Sequence, residues 1–436
     1  MSHPSLNKML QIEQVCDRFE SAWQLGDRPQ IEDSLRQFPE VATDLLKPLL
    51  TMEIDYRRQR GEKPLWGEYL PRFPQAVAIL TELLGPNLTA EIILEQITNI
   101  GLVAPHHLAA LQQRKANRPA TFSGEDLLGE LVASHILTAY QAKRIAAGKS
   151  KSLTLEKFIL LDKLGQGGMG TVWKAWHREA DEIVALKVLD PALTQRKDML
   201  SRFQRESRLA TLLKHPNIVA TYRAAQHGAN HFLVMEYIDG IDLASQLKAE
   251  GPVSISTAVE WVSQIANGLE SAHQQGIIHR DIKLANLLRE RSGIIKILDL
   301  GLARIEGDGE TNGNLTGTGD FMGTVDYISP EQAMSAKNAD ARSDIYSLGI
   351  VLWYLLLDRP AYDGKSIASR IIAHRDAPIP SLATALASSE HGQDPGLDKL
   401  DAIFRTMVAK NPADRYQSMT EVIAALAVLR ESASGN

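Results

Sequence analysis

Cysteine is almost absent from this sequence of 436 residues, in which Cys16 is the only one. A single thiol excludes an intramolecular disulfide and a metal cluster built on cysteine ligands. The ordinary interpretation of Cys16 is a buried apolar residue, because a free cysteine packs like a small hydrophobic side chain. Apolar residues make up 44% of the chain, which is enough for large buried cores.

The sequence also lacks a long apolar run. The longest one, IYSLGIVLWYLLL at 345–357, has about 13 residues, whereas a membrane span needs about 20. The opening residues, MSHPSLNKMLQIEQ, are polar and lack the apolar centre of a secretory signal. We therefore expect a cytoplasmic protein with no membrane partner, in which 345–357 forms a buried helix.

An excess of positive charge is missing as well. Lys and Arg number 47 and Asp and Glu number 53, so the formal net charge is −6. Nucleic-acid binding usually leaves a basic footprint, and we predict no nucleic-acid partner. The length of the chain predicts two or three domains.

Turn residues and changes of pattern divide the chain. Thr89 is placed to cap a helix that has Glu91 in its first turn, and the Gly/Lys/Ser-rich stretch 148–154 marks the clearest boundary. Beyond it, short β-rich runs precede long helices, which predicts a small sheet lobe followed by a larger helical lobe. The predicted parts are a helical N-terminal region 1–84, a small helical module 91–148, a linker 149–157, a domain 158–429 (lobes 158–238 and 239–429) and a tail 430–436.

The stretch LGQGGMGTV places Gly165, Gly167 and Gly170 in the pattern G-x-G-x-x-G. Glycines let a backbone come close to phosphates and offer its N–H groups. Alone, the motif is equally compatible with a plain glycine-rich hairpin. A dinucleotide-binding fold is not predicted, because a second strand follows Gly170 and a βαβ unit is absent.

A lysine, Lys187, lies inside the apolar strand VALK. An ammonium there is costly unless it reaches a partner, and the alternative is a strand-edge lysine that extends to water. Phosphates and Glu206, on the helix predicted over 202–215, would be suitable partners. The inward face of that helix is predicted to hold Phe203, Leu209 and Leu213.

The segment HRDIKLANLL combines Asp281, Lys283 and Asn286 on a loop. The aspartate can accept or orient a hydroxyl proton, the lysine can neutralise a phosphate, and the asparagine can hold a metal ion. Farther on, the apolar strand in KILDLGLA ends at Asp299, a carboxylate well placed for Mg²⁺. Each piece alone is compatible with a polar turn, but their order and spacing favour phosphoryl transfer.

Together these residues resemble the eukaryotic-type (Hanks-type) protein kinase family, over about 270 residues. Its glycine-rich loop, strand lysine, helix glutamate, HRD loop, DFG element and APE element all have counterparts. The resemblance implies an α+β bilobal protein kinase fold, with a small antiparallel sheet lobe that carries helix C, preceded here by an all-α region. It implies an enzyme that uses ATP and Mg²⁺, with Mn²⁺ as an alternative, to phosphorylate protein serine and threonine hydroxyls.

The resemblance also assigns roles to residues. Asp281 is implied as the catalytic base with Lys283 beside it, and Asn286 and Asp299 as the metal ligands. The resemblance implies a ribose contact for Asp242, for which a helix N-cap is an equally good interpretation. Nucleotide contacts are implied for Leu164, Gly165, Gln166, Gly167, Gly168, Met169, Gly170, Thr171, Val172, Lys187, Glu206 (as the partner of Lys187), Glu236, Ile238 and Asp242.

In the helical lobe the family pattern pairs Glu331 with Arg415 and uses Asp344 to brace the catalytic loop, while Lys283 and Thr324 mark the Ser/Thr class. No phosphate- or metal-contacting group is lost, which favours an active kinase over a pseudokinase or scaffold. The departures from the pattern are Leu300 for the Phe of DFG, Ser329 for the Ala of APE and Leu284 for a Pro of the catalytic loop.

Two regions suggest regulation. The Gly/Asn/Thr-rich stretch 305–322 should be flexible until something orders it, and a phosphate on Thr316 or Thr318 could pair with Arg280 and do so. We predict autophosphorylation there, with self-association, although loop threonines also serve simply as turn residues.

The leader, including CDRFESAWQLGDRPQIEDSL, is similar to those of bacterial, planctomycete-type Ser/Thr signalling kinases. This similarity assigns no activity to residues 1–150. Docking of a partner protein, autoinhibition through the kinase domain and a stabilising cap all stay open.

Overall fold

The computed structural model describes residues 3–85, 89–103, 123–299, 325–335, 338–364, 366–388, 392 and 394–434. The chain divides into two compact units, Met1–Thr154 and Leu155–Asn436. Each unit has apolar clusters of its own. Within the described residues, no helix is both long enough and apolar enough to cross a membrane.

The first unit is helical up to Leu153 in its described part. One apolar cluster lies within residues 12–84 and another within 90–153. The predicted cap at Thr89 is confirmed, because its hydroxyl accepts the N–H of Ile92 at 3.3 Å. The helices are α1 His3–Leu25, α2 Ile31–Gln37, α3 Ala42–Gln59, α4 Trp66–Tyr69, α5 Val77–Leu84, α6 Ala90–Asn99, α7 Gly124–Ala133 and α8 Ala139–Ala146.

The second unit begins with a six-stranded sheet in the order β1-β2-β3-β4-β6-β5. Side chains alternate between its faces, and the face that carries Val172, Ala185 and Met235 is here called the cleft face. On it, cross-strand pairing aligns Val172, Lys187 and Leu233 in one row and Lys174, Ala185 and Met235 in the next. The strands are β1 Thr154–Leu155, β2 Phe158–Gly167, β3 Gly170–His177, β4 Glu182–Leu189, β5 Thr221–His227 and β6 Asn230–Glu236.

Helix α10, Lys197–Leu212, follows the short helix α9, Pro191–Thr194, and packs on the cleft face through Phe203. Phe203 and Leu213 are buried as predicted, but the prediction for Leu209 is wrong, since that side chain is 38% exposed. Six residues turn a helix by about 240° beyond a full turn, which points Leu209 away from the face of Phe203. Ala210 takes the inner position and lines a small cavity there.

The remainder of the second unit is mostly helical, around α12, Ile255–Gln274, and α14, Ala341–Leu357. Nearly all of α14 is buried, as predicted for 345–357. This architecture confirms the α+β, bilobal kinase fold expected from the sequence. The elements are β7 Gly240–Asp242, α11 Leu243–Glu250, α12 Ile255–Gln274, β8 Leu287–Glu290, β9 Ile295–Ile297, α13 Pro330–Met334, α14 Ala341–Leu357, α15 Ile367–Asp376, α16 Leu382–Leu386, α17 Leu397–Met407 and α18 Met419–Ser434.

The loop between α10 and β5 connects the sheet to the helical part. The N–H of Val219 donates to the carbonyl of Ile297 at 3.0 Å, and the N–H of Ile297 donates to the carbonyl of Asn217 at 2.9 Å. The buried amide of Asn217 also donates to the carbonyl of Ile295 at 2.9 Å. Because β9 leads directly to Asp299, these bonds position that residue relative to the sheet.

A buried histidine lies in the helical part. His374 on α15 is 2% exposed, and its Nδ1 accepts the hydroxyl proton of Tyr346 at 2.9 Å. Burial, helped by the nearby Lys410 ammonium, lowers the pKa of His374 to about 3. The imidazole is therefore neutral at physiological pH.

We expect acid to destabilise the fold through His374. Its folded-state pKa lies below the ordinary value of about 6.5, so this contribution to stability is present above that pH and is lost as the pH falls. From pH 7 to pH 5, the unfolding free energy should fall by about 2 kcal/mol more in the wild type than in His374→Gln, which keeps an acceptor for Tyr346. Urea unfolding at both pH values tests this, with the exposed His227→Gln as control. Equal pH dependence of the wild type and His374→Gln would contradict it.

Candidate active site

Apolar side chains from both parts of the second unit pack in one cluster. The sequence indicated Val172 and Ile238, but not Leu288 or Leu298. An apolar residue in a strand has no signature of its own, and only the nearness of these leucines to Asn286 and Asp299 in the sequence hinted at them. Seven members of this cluster are here called the slot, and they are Val172, Ala185, Leu233, Met235, Ile238, Leu288 and Leu298.

The glycine-rich hairpin leads from β2 into β3, where Gly167 is paired with Gly170. Gly170 has φ +141°, and a Cβ on it would lie 2.0 Å from the carbonyl oxygen of Val188, so only glycine fits. A Cβ on Gly165 would meet nothing within 4 Å, so that position borders open space. The other predicted hairpin residues lie on the same two strands and their turn: Leu164, Gln166, Gly168, Met169, Thr171 and Val172.

Lys187 and Asp299 form an ion pair across the cleft. Their Nζ and Oδ1 atoms are 2.6 Å apart, and Lys187 is only 8% exposed. Burial alone would raise the pKa of Asp299, but the Lys187 ammonium outweighs burial and holds that pKa below its usual value. Glu206 lies on α10, but its side chain is outside the described residues, so the expected Lys187–Glu206 pair stays a prediction.

The catalytic-loop side chains meet at the same place. Lys283 Nζ lies 2.9 Å from Oδ2 of Asp281, and the amide of Asn286 donates to the carbonyl and to Oδ2 of Asp281 at 2.7 and 2.9 Å. The N–H of Leu298 donates to the carbonyl of Asn286 at 2.9 Å, which makes Asn286 a neighbour of Asp299. The structure therefore brings the predicted catalytic and metal-binding residues together with the lysine of β4.

A buried carboxylate holds this loop in place. Asp344 is 0% exposed and accepts the backbone N–H groups of His279 and Arg280 at 2.9 and 2.8 Å. Nε2 of His273 lies 2.8 Å from the same carboxylate. Arg280 has φ +67°, which non-glycine residues rarely adopt, and the bonds to Asp344 stabilise that conformation. The predicted bracing contact is confirmed.

His279 links the two halves of the site. Its Nδ1 accepts the N–H of Asp281 at 3.2 Å, and its Nε2 donates to the carbonyl of Leu298 at 2.8 Å. Since Nδ1 is an acceptor, the ring proton belongs on Nε2. The HRD letters placed His279 beside Asp281, but they did not indicate its contact with the residue before Asp299.

The segment that follows β6 is tied down by side chains. The Glu236 carboxylate accepts from Lys296 Nζ at 2.7 Å and from the N–H of Ala220 at 3.1 Å. Asp242 accepts the N–H and the hydroxyl of Ser245 at 2.8 and 2.7 Å, at the start of α11. The N-cap interpretation of Asp242 is thus confirmed, and its contact with a ribose stays a prediction.

The APE region is anchored as expected. Both terminal nitrogens of Arg415 lie 2.8 Å from the Glu331 carboxylate, which confirms the predicted pair. Ser329 starts α13 in a capping box with Gln332, so the serine that replaces alanine gains a cap. Several predicted positions lie outside the described residues: Leu300, Thr316, Thr318 and Thr324.

Comparison with known proteins decides the family. The protein kinase domain family matches residues 158–425, more than half of the chain. The chain belongs to the protein kinase family.

Two curated relatives are both named serine/threonine-protein kinase PknB. That of Mycobacterium tuberculosis is 38% identical over 276 residues, which cover 62% of this chain and 42% of that protein. That of Mycolicibacterium smegmatis is 36% identical over 281 residues, which cover 63% of this chain and 43% of that protein. The kinase chain thus spans less than half the length of these relatives. A crystal structure of the Mycobacterium tuberculosis PknI kinase domain covers 63% of this chain and 97% of that one, at 26% identity and a TM-score of 0.47.

The oxygen atoms of this kinase site suit a hard cation. Because the Asn286 amide nitrogen is used on Asp281, its oxygen is available as an acceptor, and Asp299 offers a carboxylate that is 34% exposed. Among the described residues, no group of three or more His, Cys, Asp or Glu could hold a metal. Mg²⁺ needs no such group, because it commonly takes one or two protein ligands together with substrate phosphates and water. The donor set therefore fits Mg²⁺ bound with a nucleotide.

Proposed function

We propose that this kinase is an active Ser/Thr enzyme that transfers the γ-phosphate of ATP to protein hydroxyls. The observation that carries the proposal is the convergence of Lys187, Asp299, Asn286 and Asp281 in one cleft. Side chains scattered for structural reasons alone would not collect an ammonium, two carboxylates and an amide beside an apolar slot. The names of the PknB relatives agree with the Ser/Thr class.

The nucleotide is proposed to lie with its adenine in the slot, whose apolar lining suits a flat ring. The backbones of Glu236 and Ile238 would bond the base. Since the N–H of Glu236 already donates to Ala220 at 2.9 Å, its carbonyl oxygen is the group left for the adenine. The hairpin 164–172 would cover the phosphates, and Lys187 would contact the α- and β-phosphates.

The transfer step is proposed to occur beside Asp281. Asn286 and Asp299 would hold Mg²⁺, with Mn²⁺ as an alternative, and the bound ion neutralises phosphate charge. Asp281 accepts the proton of the serine or threonine hydroxyl. The hydroxyl oxygen bonds to the γ-phosphorus while the bond between that phosphorus and the oxygen of ADP breaks. Lys283, in contact with Asp281, is placed to neutralise the transferred phosphate.

The full chain, incubated with labelled ATP, Mg²⁺ and a generic basic protein, should transfer phosphate. Asp281→Asn should lower the rate by about 10²- to 10⁴-fold, because the proton acceptor is lost. Lys187→Met should also lose transfer through misplaced phosphates, and Asp398→Asn, exposed on α17, should not. Equal rates for the wild type and Asp281→Asn would refute the role of Asp281 as the catalytic base. A wild type that binds ATP without transfer would favour the pseudokinase or scaffold.

Autophosphorylation of the kinase at Thr316 or Thr318 is proposed as its activation step, with self-association between copies. Support comes from Arg280, which directly precedes Asp281 and carries a cation for a phosphothreonine. Phosphopeptide mapping after incubation with ATP should find a phosphate on at least one of the two threonines, and none in Asp281→Asn. An active wild type with both threonines unmodified would end this proposal.

The N-terminal unit is proposed to be a planctomycete-type leader that binds a partner protein or restrains the kinase domain in a bacterial cytoplasmic signalling role. Its support is the sequence similarity of the leader and the separate cores of the unit. A chain that begins at Ser152, and so keeps β1, should therefore differ from the full chain in transfer rate or partner binding. Equal rates and equal binding, with only a lower melting temperature, would leave a stabilising cap as its role.

A further inference from the structure

A second lysine lies on the cleft face of the small sheet, one row away from Lys187. Lys174 on β3 is paired with Ala185, which in turn is paired with Met235. Val172, two residues before Lys174 and on the same face, lines the slot. Lys174 therefore lies in the same row as two slot residues, Ala185 and Met235.

The ammonium of Lys174 contacts an aromatic ring. Its Nζ lies 4.4 Å from the centre of the Tyr237 ring, a distance at which the ring quadrupole attracts a cation. Tyr237 directly precedes Ile238, a slot residue. Asp162 is opposite Lys174 on β2 and exposed, yet within the described part of the chain Lys174 makes no ion pair. The ring is thus the partner that the structure gives this ammonium.

We infer that Lys174 and Tyr237 form a clamp that retains the nucleotide in the slot; this rests on the proposed function. The contact joins β3, which continues the glycine-rich hairpin, to the segment after β6 that would bond the adenine. If β3 moves away from that segment together with the hairpin to release ADP, the contact has to break. Lys174 is a positioning residue, because the reacting groups are those around Lys187 and Asp299.

The competing interpretation is a lysine stem that merely covers a tyrosine ring. The two differ in what they predict for nucleotide release. A clamp slows dissociation, whereas a covering side chain affects only stability. The test therefore measures release of the nucleotide and melting of the fold separately.

Release of a fluorescent ADP analogue with Mg²⁺ from the full chain, chased with excess ATP, provides the measurement. Lys174→Met keeps the apolar stem without the charge, and Tyr237→Leu removes the ring. Each should release the analogue about 3- to 10-fold faster and raise the KM for ATP similarly, with kcat not reduced. The double variant should release it no faster than the single ones. Lys174→Arg, which keeps a cation over the ring, should stay near wild type.

Lys157→Met serves as the charge-matched control, since this lysine pairs with Glu179 at the exposed end of the sheet. Its release rate should equal that of the wild type. Unchanged release in both single variants, or additive effects in the double variant, would overturn the clamp and leave the kinase assignment intact. A wild type that does not bind the analogue at all would instead overturn the proposed function, and the clamp with it.

Discussion

The catalytic loop depends on the buried carboxylate of Asp344. A charge removed from water is costly unless hydrogen bonds satisfy its oxygens. The N–H groups of His279 and Arg280, together with His273, supply those bonds. These bonds fix the loop to α14, which is the most completely buried of the helices described in the helical part. The left-handed backbone conformation of Arg280 is unfavourable in itself and persists because these bonds fix it. Asp281 follows Arg280 directly, so its position depends on the same bonds.

Asp299 is positioned from several sides rather than by its own turn. The residues just before it are bonded to the sheet loop through Val219 and to the catalytic loop through His279 and Asn286. Lys187 reaches its carboxylate from the sheet. Its φ of +59° is unusual for an aspartate, and it persists because these contacts over-determine the position. The same bonds therefore align the two lobes and place the proposed metal ligand.

The sequence predicted best where chemistry restricts the choice of residue. Asp281, Asn286 and the order of sheet and helices follow from motifs whose spacing few other structures require. Contacts that depend on strand register could not be predicted from the sequence. Lys174 is seen to face the slot only once β3 is aligned with β4. The prediction for Leu209 was wrong because the spacing of Phe203, Leu209 and Leu213 fits one face of a helix only loosely. Only the packing shows which face is inward. Asp242 had two equally good interpretations; its bonds to Ser245 confirm the cap, and the ribose contact stays a prediction.

The two lysines of the cleft face show why their partners differ. Lys187 is 8% exposed, so its ammonium has lost most of its hydration and needs a full negative charge in compensation. Lys174 is only partly buried, keeps some water, and is adequately paired with a neutral ring. It follows that Asp299 can be drawn from Lys187 toward a metal ion only when another anion takes its place. The phosphates of the proposed ATP would bring such a charge into the cleft, so nucleotide binding and release of Asp299 are expected to be coupled.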